Sequence, residues 1–249
     1  MIKFFRHIRK SLIEQNNMGK YFKYAIGEIL LVVIGILIAL SINNWNENRK
    51  VEAQLKSALQ SIYNDTVADS LLIDQAKPLV HLRDSTIQNL ILRSYATETN
   101  LDTLISIMQS EFPLRWYSSP QYNKNTFTNL KNTGAFDILP NDIKLSLSDY
   151  YTTLESYETL NDEVLNQYRI HLDDFVKRYN IIGRFYDDNY NNSYLYKSTW
   201  KTVDEKDFTP RVAVLFAAYN VLYGYAKEEL ETNLNNIRDI LPQLKPYLD

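Results

Sequence analysis

Two histidines in this sequence stand three residues before an aspartate, the spacing at which one helix face could present both side chains to a metal ion. They are His81 with Asp84 and His171 with Asp174. Imidazole and carboxylate groups are both zinc ligands, and residues three apart are neighbours on a helix. Each helix would supply only two ligands, whereas structural zinc sites use four. We interpret both pairs as solvated helix surface and predict no metal site.

An oxygen-rich run, Asp187-Asp188-Asn189 with Asn191 and Asn192, offers the ligand atoms that calcium accepts. The spaced loop and terminal glutamate of the common calcium-binding motif are missing from it. A polar loop is therefore the better interpretation of this run.

The motifs that usually carry catalysis are not found in the sequence. It has no Gly-x-Ser-x-Gly, no glycine-rich phosphate loop and no His-Glu-x-x-His, and it contains no cysteine. We predict no catalytic residue, no cofactor and no enzymatic activity.

Composition predicts a helical protein with an acidic body. Glycine and proline are few, at 6 and 7 of 249 residues, and no glycine occurs between Gly35 and Gly134, which disfavours tight β-hairpins. Residues 1–24 carry six Lys and Arg against one Glu, so a total of −3 leaves −8 on the remainder. Nucleic acid is excluded as a partner on this basis, because its binding needs clustered positive charge.

The basic N-terminus precedes an apolar stretch, residues 25–42, that is interrupted only by Glu28 and Ser41. Crossing a bilayer takes about 20 apolar residues, so this stretch predicts a membrane-spanning helix. A cleaved signal peptide is the rival interpretation, since Ala39-Leu40-Ser41 has a small-x-small pattern. The stretch exceeds the roughly 7–15 apolar residues of a signal peptide, which favours a retained anchor.

Charge asymmetry predicts the orientation of that helix. Basic flanks stay in the cytoplasm, so residues 1–23 form a basic amphipathic cytoplasmic segment, residues 24–45 span the lipid bilayer, and residues 46–249 face outward. The spacing of apolar residues in the first 13 predicts an interfacial helix on the inner leaflet, and docking to an acidic cytoplasmic partner is the alternative. The predicted membrane-interface residues are Phe4, Phe5, Arg6, Arg9, Lys10, Lys20, Lys23 and Trp45.

Three residues within the spanning helix could contact a membrane partner. Glu28, Gly35 and Ala39 follow one helical stripe, and Gly35-x-x-x-Ala39 is a small-x-x-x-small pattern that permits close helix packing. An ionisable group in a membrane helix is a functional candidate by default. The alternative for Glu28 is pairing with Lys20, Lys23 or lipid headgroups near the boundary.

The stretch KYAIGEILLVVIGILIALSINNWNE, residues 23–47, with the opening MIKFFR, resembles an uncharacterised family of single-pass membrane proteins from Bacteroidetes. A weaker similarity appears at residues 126–134. The resemblance implies an inner-membrane protein with a periplasmic helical domain. It implies no activity and no functional residues.

Apolar spacing predicts an all-α fold, an N-terminal transmembrane helix followed by an elongated antiparallel helical bundle. The first helix continues past Trp45 to a break or kink at Pro78. The sequence then predicts a second helix to about residue 94, short helices at 102–109 and 120–132, a helix at 142–179, a connection or flap at 183–206, and a last helix from Thr209-Pro210 to Pro242.

The tyrosines concentrate in the second half of the chain. Those from Tyr150 to Tyr179 keep helical spacing and are predicted to be core residues, whereas four in the connection could form a recognition loop: Tyr186, Tyr190, Tyr194 and Tyr196. The sequence thus favours a non-enzymatic envelope protein whose outer domain binds a protein partner or ligand, or which self-associates. An anchored hydrolase and a structural spacer are the alternatives.

Overall fold

A computed structural model describes residues 18–181 and 192–248 of the chain. Within these ranges the fold is all-α, with no strand, as predicted. Contacts divide the chain into two units, Met1–Ser57 and Ala58–Asp249. The α-helices are α1 (Met18–Ser94), α2 (Leu101–Ser106), α3 (Asn125–Asn132), α4 (Asn141–Arg178), α5 (Tyr194–Trp200) and α6 (Glu205–Leu244). A π-helical turn at Ile107–Glu111 and 3-10 turns at Ala135–Ile138 and Lys245–Tyr247 complete the described elements.

The described part of the first unit is the N-terminal portion of α1. Its apolar side chains are exposed, and the most apolar 18-residue window of the helix has no buried residue. In a water-soluble helix such side chains would pack against a core. By length and composition, this is the one helix among the described residues that is long and apolar enough to span a membrane.

Pro78 lies inside α1, so the predicted division into two helices at this proline is wrong. Proline lacks the N–H that would bond to the carbonyl of Asp74, which normally ends or kinks a helix. Ile73, five residues before the proline, and Val80, two residues after it, are both buried in the second unit. Apolar packing on both sides of Pro78 offsets the missing hydrogen bond and keeps the helix continuous.

The core of the second unit is built on α4 and α6, which make its most extensive helix contact and run antiparallel. The direction follows from three pairs, in which rising numbers on α4 meet falling numbers on α6. These are Ser146 with Gln243, Asn161 with Glu229, and Asp174 with Arg211.

The C-terminal part of α1 packs against the same pair. Asp84 lies 3.6 Å from Lys227 and Gln88 donates to Asn220 at 2.6 Å, so α1 runs antiparallel to α6. Its direction therefore matches that of α4. One long helix thus supplies a face of the core, and its buried apolar side chains are Leu59, Ile62, Ile73, Val80, Ile87 and Leu90.

Tyrosines form much of this core. Tyr150 and Tyr168 are buried on α4 and Tyr179 directly after it, as their spacing predicts, whereas Tyr157, predicted for the same face, is only half-buried. Tyr219 and Tyr223 are buried on α6. Aromatic side chains bury large apolar areas and favour edge or offset contacts. Tyr168 and Tyr219 meet in such an edge contact with ring centroids 5.3 Å apart.

Two predicted helix starts are wrong. The helix predicted over residues 120–132 begins at Asn125, because the residues before it make tertiary contacts that a helix would break. Its end is correct, since Gly134 follows in the left-handed conformation with φ 73°. The last helix begins at Glu205 rather than at Pro210, with the Asp204 side chain accepting from the Lys206 N–H as its cap.

The predicted connection at 183–206 contains a helix. In α5, the Ser193 hydroxyl oxygen accepts from the Tyr196 N–H at 3.1 Å, so a capping residue supports this short helix. Residues 182–191 lie outside the described ranges, and with them the oxygen-rich run at 187–191.

Candidate functional site

A non-helical segment, residues 112–124, runs along α6 and is fixed to it by aromatic side chains. Phe112 stacks on Phe216 with ring centroids 5.5 Å apart. Tyr219 and Tyr223 each donate a hydroxyl hydrogen bond to the backbone carbonyl of Arg115 at 3.2 Å. These contacts satisfy a backbone group that has no helical partner and place the following residues over the centre of the bundle.

Glu229 of α6 lies under this segment and is fully buried. Its Oε2 accepts hydrogen bonds from the Tyr117 hydroxyl at 3.0 Å, the Ser119 hydroxyl at 3.1 Å and the Asn161 amide at 2.5 Å. Asn161 of α4 also donates to Ser119 at 2.7 Å. Three elements therefore meet at one carboxylate oxygen. We call this group the Glu229 site.

The electrostatics of the Glu229 site follow from its burial. Loss of solvation raises the pKa of the Glu229 carboxyl above its usual range, and the hydrogen bonds from Tyr117, Ser119 and Asn161 oppose that rise. Burial and the nearby Glu229 charge together raise the pKa of the Tyr117 and Tyr122 phenols, which stay protonated and able to donate.

A second buried carboxylate, Asp69 of α1, binds the end of the same segment. Asp69 Oδ1 accepts from the Asn123 backbone N–H at 2.9 Å and from its side-chain amide at 2.7 Å. The Tyr150 hydroxyl donates to Asp69 Oδ2 at 3.0 Å. Burial raises the pKa of Asp69, and the Asn123 hydrogen bonds oppose the rise.

A cavity of about 220 Å³ opens beside the Glu229 site. One wall is residues 117–121 of the non-helical segment, and the other is four side chains of α4: Glu158, Asn161, Asp162 and Leu165. Ser119 and Asn161 thus belong both to the cavity wall and to the Glu229 site. We call this cavity the Ser119 pocket.

A second concavity of about 510 Å³ lies between α4 and α6 on another part of their surface. It is apolar, with Leu160, Val164, Val214 and Val221 among its lining residues. His171 also lines this groove.

The aspartates of the two His–Asp pairs bind cations of α6. Asp84 lies near Lys227 and Asp174 contacts Arg211. Among residues 18–181 and 192–248, no three His, Asp or Glu side chains come together in a group that could hold a metal ion.

The predicted residues of the spanning helix lie on an exposed part of α1. Lys20, Lys23, Gly35 and Ala39 are exposed and Glu28 is half-buried. A Cβ added at Gly35 would meet no atom within 4 Å.

Three of the eight predicted membrane-interface residues, Lys20, Lys23 and Trp45, lie within the described ranges. The indole of Trp45 is exposed, and the Arg49 guanidinium carbon lies 5.4 Å from the centre of its ring. The five remaining interface residues, Phe4, Phe5, Arg6, Arg9 and Lys10, lie outside the described ranges.

The four tyrosines predicted for a recognition loop are not all described. Tyr186 and Tyr190 fall in the undescribed residues 182–191. Tyr194 is 84% exposed at the start of α5, whereas Tyr196 is half-buried, with its ring centroid 6.2 Å from that of Trp200. Of the two described tyrosines, Tyr194 is therefore the exposed one.

Sequence reasoning missed Glu229, Asp69, Asn161 and Ser119. A signal for Glu229 was present, because it follows Ala226 by three residues and precedes Ile237 by eight, which places a carboxylate on the apolar stripe of α6. Ser119 was interpreted as a helix cap beside Pro120, but its hydroxyl binds Glu229 instead.

The sequence model of a family described as "Family of unknown function (DUF6090)" matches residues 28–216. The matched region includes Glu28, Asp69, Ser119 and Asn161 and ends before Glu229. No curated protein matches the chain, and no solved structure matches it. Since the match covers well over half of the sequence, the chain belongs to the DUF6090 family of unknown function.

Proposed function

We propose that this chain is a membrane-anchored, non-enzymatic envelope protein whose helical outer domain binds a partner, a protein or a small ligand, at the Ser119 pocket. The anchor is the apolar part of α1, whose side chains are exposed. The observation that carries the proposal is the fully buried Glu229 carboxylate directly behind a polar cavity.

A carboxylate at this position does not improve the core. Burying a charged group costs several kcal/mol, and well-packed apolar side chains of similar volume are often as stabilising or more so. Ionisable groups with perturbed pKa values next to a concave surface are candidates for functional sites. Glu229 meets each of these conditions, which supports binding at the adjacent pocket.

The basic flank and the N-terminal motif support the location. Six Lys and Arg among residues 1–24 favour a cytoplasmic N-terminus and an outward-facing domain. The motif at residues 23–47 resembles that of Bacteroidetes inner-membrane proteins, which favours the inner membrane and a periplasmic domain.

Site-specific photo-crosslinking in intact cells tests the binding proposal. A photoreactive residue replaces Gln121 at the pocket or, as a control, exposed Leu145 on α4. We expect a discrete adduct from position 121 and none from position 145, detected on gels for a protein and by intact mass for a small ligand. Absence of an adduct at 121, or identical adducts at both positions, would contradict binding at this pocket.

The absence of cysteine from the natural chain allows a direct test of orientation. Single cysteines are introduced as Lys3→Cys and Lys201→Cys in the full chain. We expect a membrane-impermeant maleimide to label position 201 when only the outer membrane is permeable, and position 3 only after lysis. The reverse pattern would place the large domain in the cytoplasm.

A hydrolase is the second candidate function, favoured by the hydrogen bond from Ser119 to Glu229 at a cavity wall. In that mechanism Glu229 would take the hydroxyl proton as Ser119 attacks an ester or amide. Ser119→Ala separates the two functions. It would abolish turnover in a hydrolase, whereas a binding site would still yield the crosslinked adduct.

A further inference from the structure

We propose that the Ser119 pocket takes an ammonium group on a short alkyl chain. This inference rests on the proposed function and names the chemistry of the bound group. It follows from an unpaired acceptor in the pocket wall, from the charge of the wall and from the volume of the pocket.

Three donors of the pocket wall are already used within the protein. Tyr117, Ser119 and Asn161 all direct a donor to Glu229 Oε2. One buried acceptor of the pocket wall, Asn161 Oδ1, has no hydrogen-bond partner among the described residues. Asn161 is 5% exposed and forms part of the pocket wall. A group that binds at this wall therefore has to donate a hydrogen bond to Asn161 Oδ1.

Charge restricts the bound group further. The charged side chains of the wall are Glu158 and Asp162, and none of its described residues is cationic. Lys124 forms an ion pair with Glu158. Asp162 is exposed and has no ion pair with any described residue. A phosphate or carboxylate would therefore meet like charge, whereas an ammonium would meet a carboxylate and find acceptors for its three N–H groups.

The volume sets the size of the group. At about 220 Å³ the pocket is smaller than the roughly 300–1,000 Å³ of sites for drug-sized ligands. Pro120 and Leu165 give the wall an apolar part that suits a few methylene groups. An ammonium on a short alkyl chain occurs in free alkyl diamines and in the lysine side chain of a partner protein.

Calorimetric titration of the detergent-solubilised full chain tests the inference. The probes are pentane-1,5-diamine, and lysine blocked at both backbone ends to represent a partner side chain. Pentane-1,5-diol and glutarate match the diamine in length but are neutral and anionic. We expect at least one ammonium probe to bind at least tenfold more tightly than the diol and glutarate. Selective binding of blocked lysine alone indicates a protein partner, and selective binding of the diamine indicates a free amine.

Two variants locate the bound group. Asp162→Asn should lower the affinity for the ammonium probe about fivefold or more. Glu163 is the neighbouring exposed residue outside the Ser119 pocket, and Glu163→Gln should leave that affinity unchanged. Equal binding of the diol or glutarate, no binding of either ammonium probe, or an unchanged affinity in Asp162→Asn would overturn the inference. If the adduct at position 121 persists in any of these cases, the binding function stands and only the ammonium chemistry fails. Loss of that adduct rejects the binding function itself.

Discussion

The Ser119 hydroxyl donates to Glu229 Oε2 at 3.1 Å, joining residues 110 positions apart in the sequence. Ser119 belongs to the segment at 112–124 and Glu229 to the helix α6 along which this segment runs. Because Tyr117 and Asn161 donate to the same oxygen, one buried carboxylate joins the segment, α4 and α6.

The Ser119→Ala substitution should lower the free energy of unfolding by about 1–2 kcal/mol, because it removes one of three donors from a buried carboxylate. Urea denaturation of the detergent-solubilised full chain measures the effect. Ser118→Ala is the matched control, since Ser118 is exposed and should change stability by less than about 0.5 kcal/mol. Equal effects of the two substitutions would contradict this account of the segment.

Stability should fall as pH rises above 4.5, the ordinary pKa of a glutamate carboxyl. Burial raises the folded-state pKa of Glu229 above the ordinary value of 4.5 and that of Asp69 above 3.8. A raised pKa contributes stability that is fully present below the unfolded value and is lost as pH rises through the folded value. Groups with lowered pKa values, Glu111 and Asp207, act in the opposite direction, but below this range.

The Glu229→Gln substitution should flatten that pH dependence, because an amide does not titrate. Each titrating carboxyl can change the free energy of unfolding by at most about 1.4 kcal/mol per pH unit. Glu231→Gln, exposed on the same helix, should keep the original slope. Urea denaturation at pH 5, 6, 7 and 8 provides the comparison, and an unchanged slope in Glu229→Gln would show that this residue is not the titrating group.

Adjacent tyrosines on α4 should respond differently to loss of the hydroxyl. Tyr150 donates to the buried Asp69, so Tyr150→Phe should lower the free energy of unfolding by about 1–3 kcal/mol. The Tyr151 hydroxyl is buried without a hydrogen-bond partner among the described residues, so Tyr151→Phe should be neutral or stabilising. Paired urea titrations measure both, and destabilisation by Tyr151→Phe equal to that of Tyr150→Phe would contradict the assigned partners.

Local patterns predicted much of the helical fold. The spacing from Ile143 to Phe175 predicted α4 within one or two residues of its ends, because one continuous apolar face is buried against α6. Gly134 predicted the end of α3 because a left-handed backbone conformation favours glycine. These signals are contained within a few turns of chain.

The site depended on contacts that no local pattern contains. Ser119-Pro120 has the local form of a helix start, yet Tyr117 and Asn123 have buried partners on distant helices that keep this segment out of a helix. Asp69 lies at an apolar position of α1, seven residues after Ile62 and four before Ile73, which marks a buried carboxylate but does not identify its partners.

Pro78 should make α1 less stable than the same helix without it. Because proline has no backbone N–H, the Asp74 carbonyl lacks its usual helical donor. Pro78 itself is exposed, so its replacement removes no core contact. We expect Pro78→Ala to raise the free energy of unfolding by about 1–3 kcal/mol, measured by urea denaturation of the full chain. Lys77→Ala is the control, because it changes the neighbouring side chain without altering the backbone donor. If Pro78→Ala lowers stability instead, the proline supports a local backbone geometry that the packing of Ile73 and Val80 requires, and a continuous unstrained helix is the wrong description of this region.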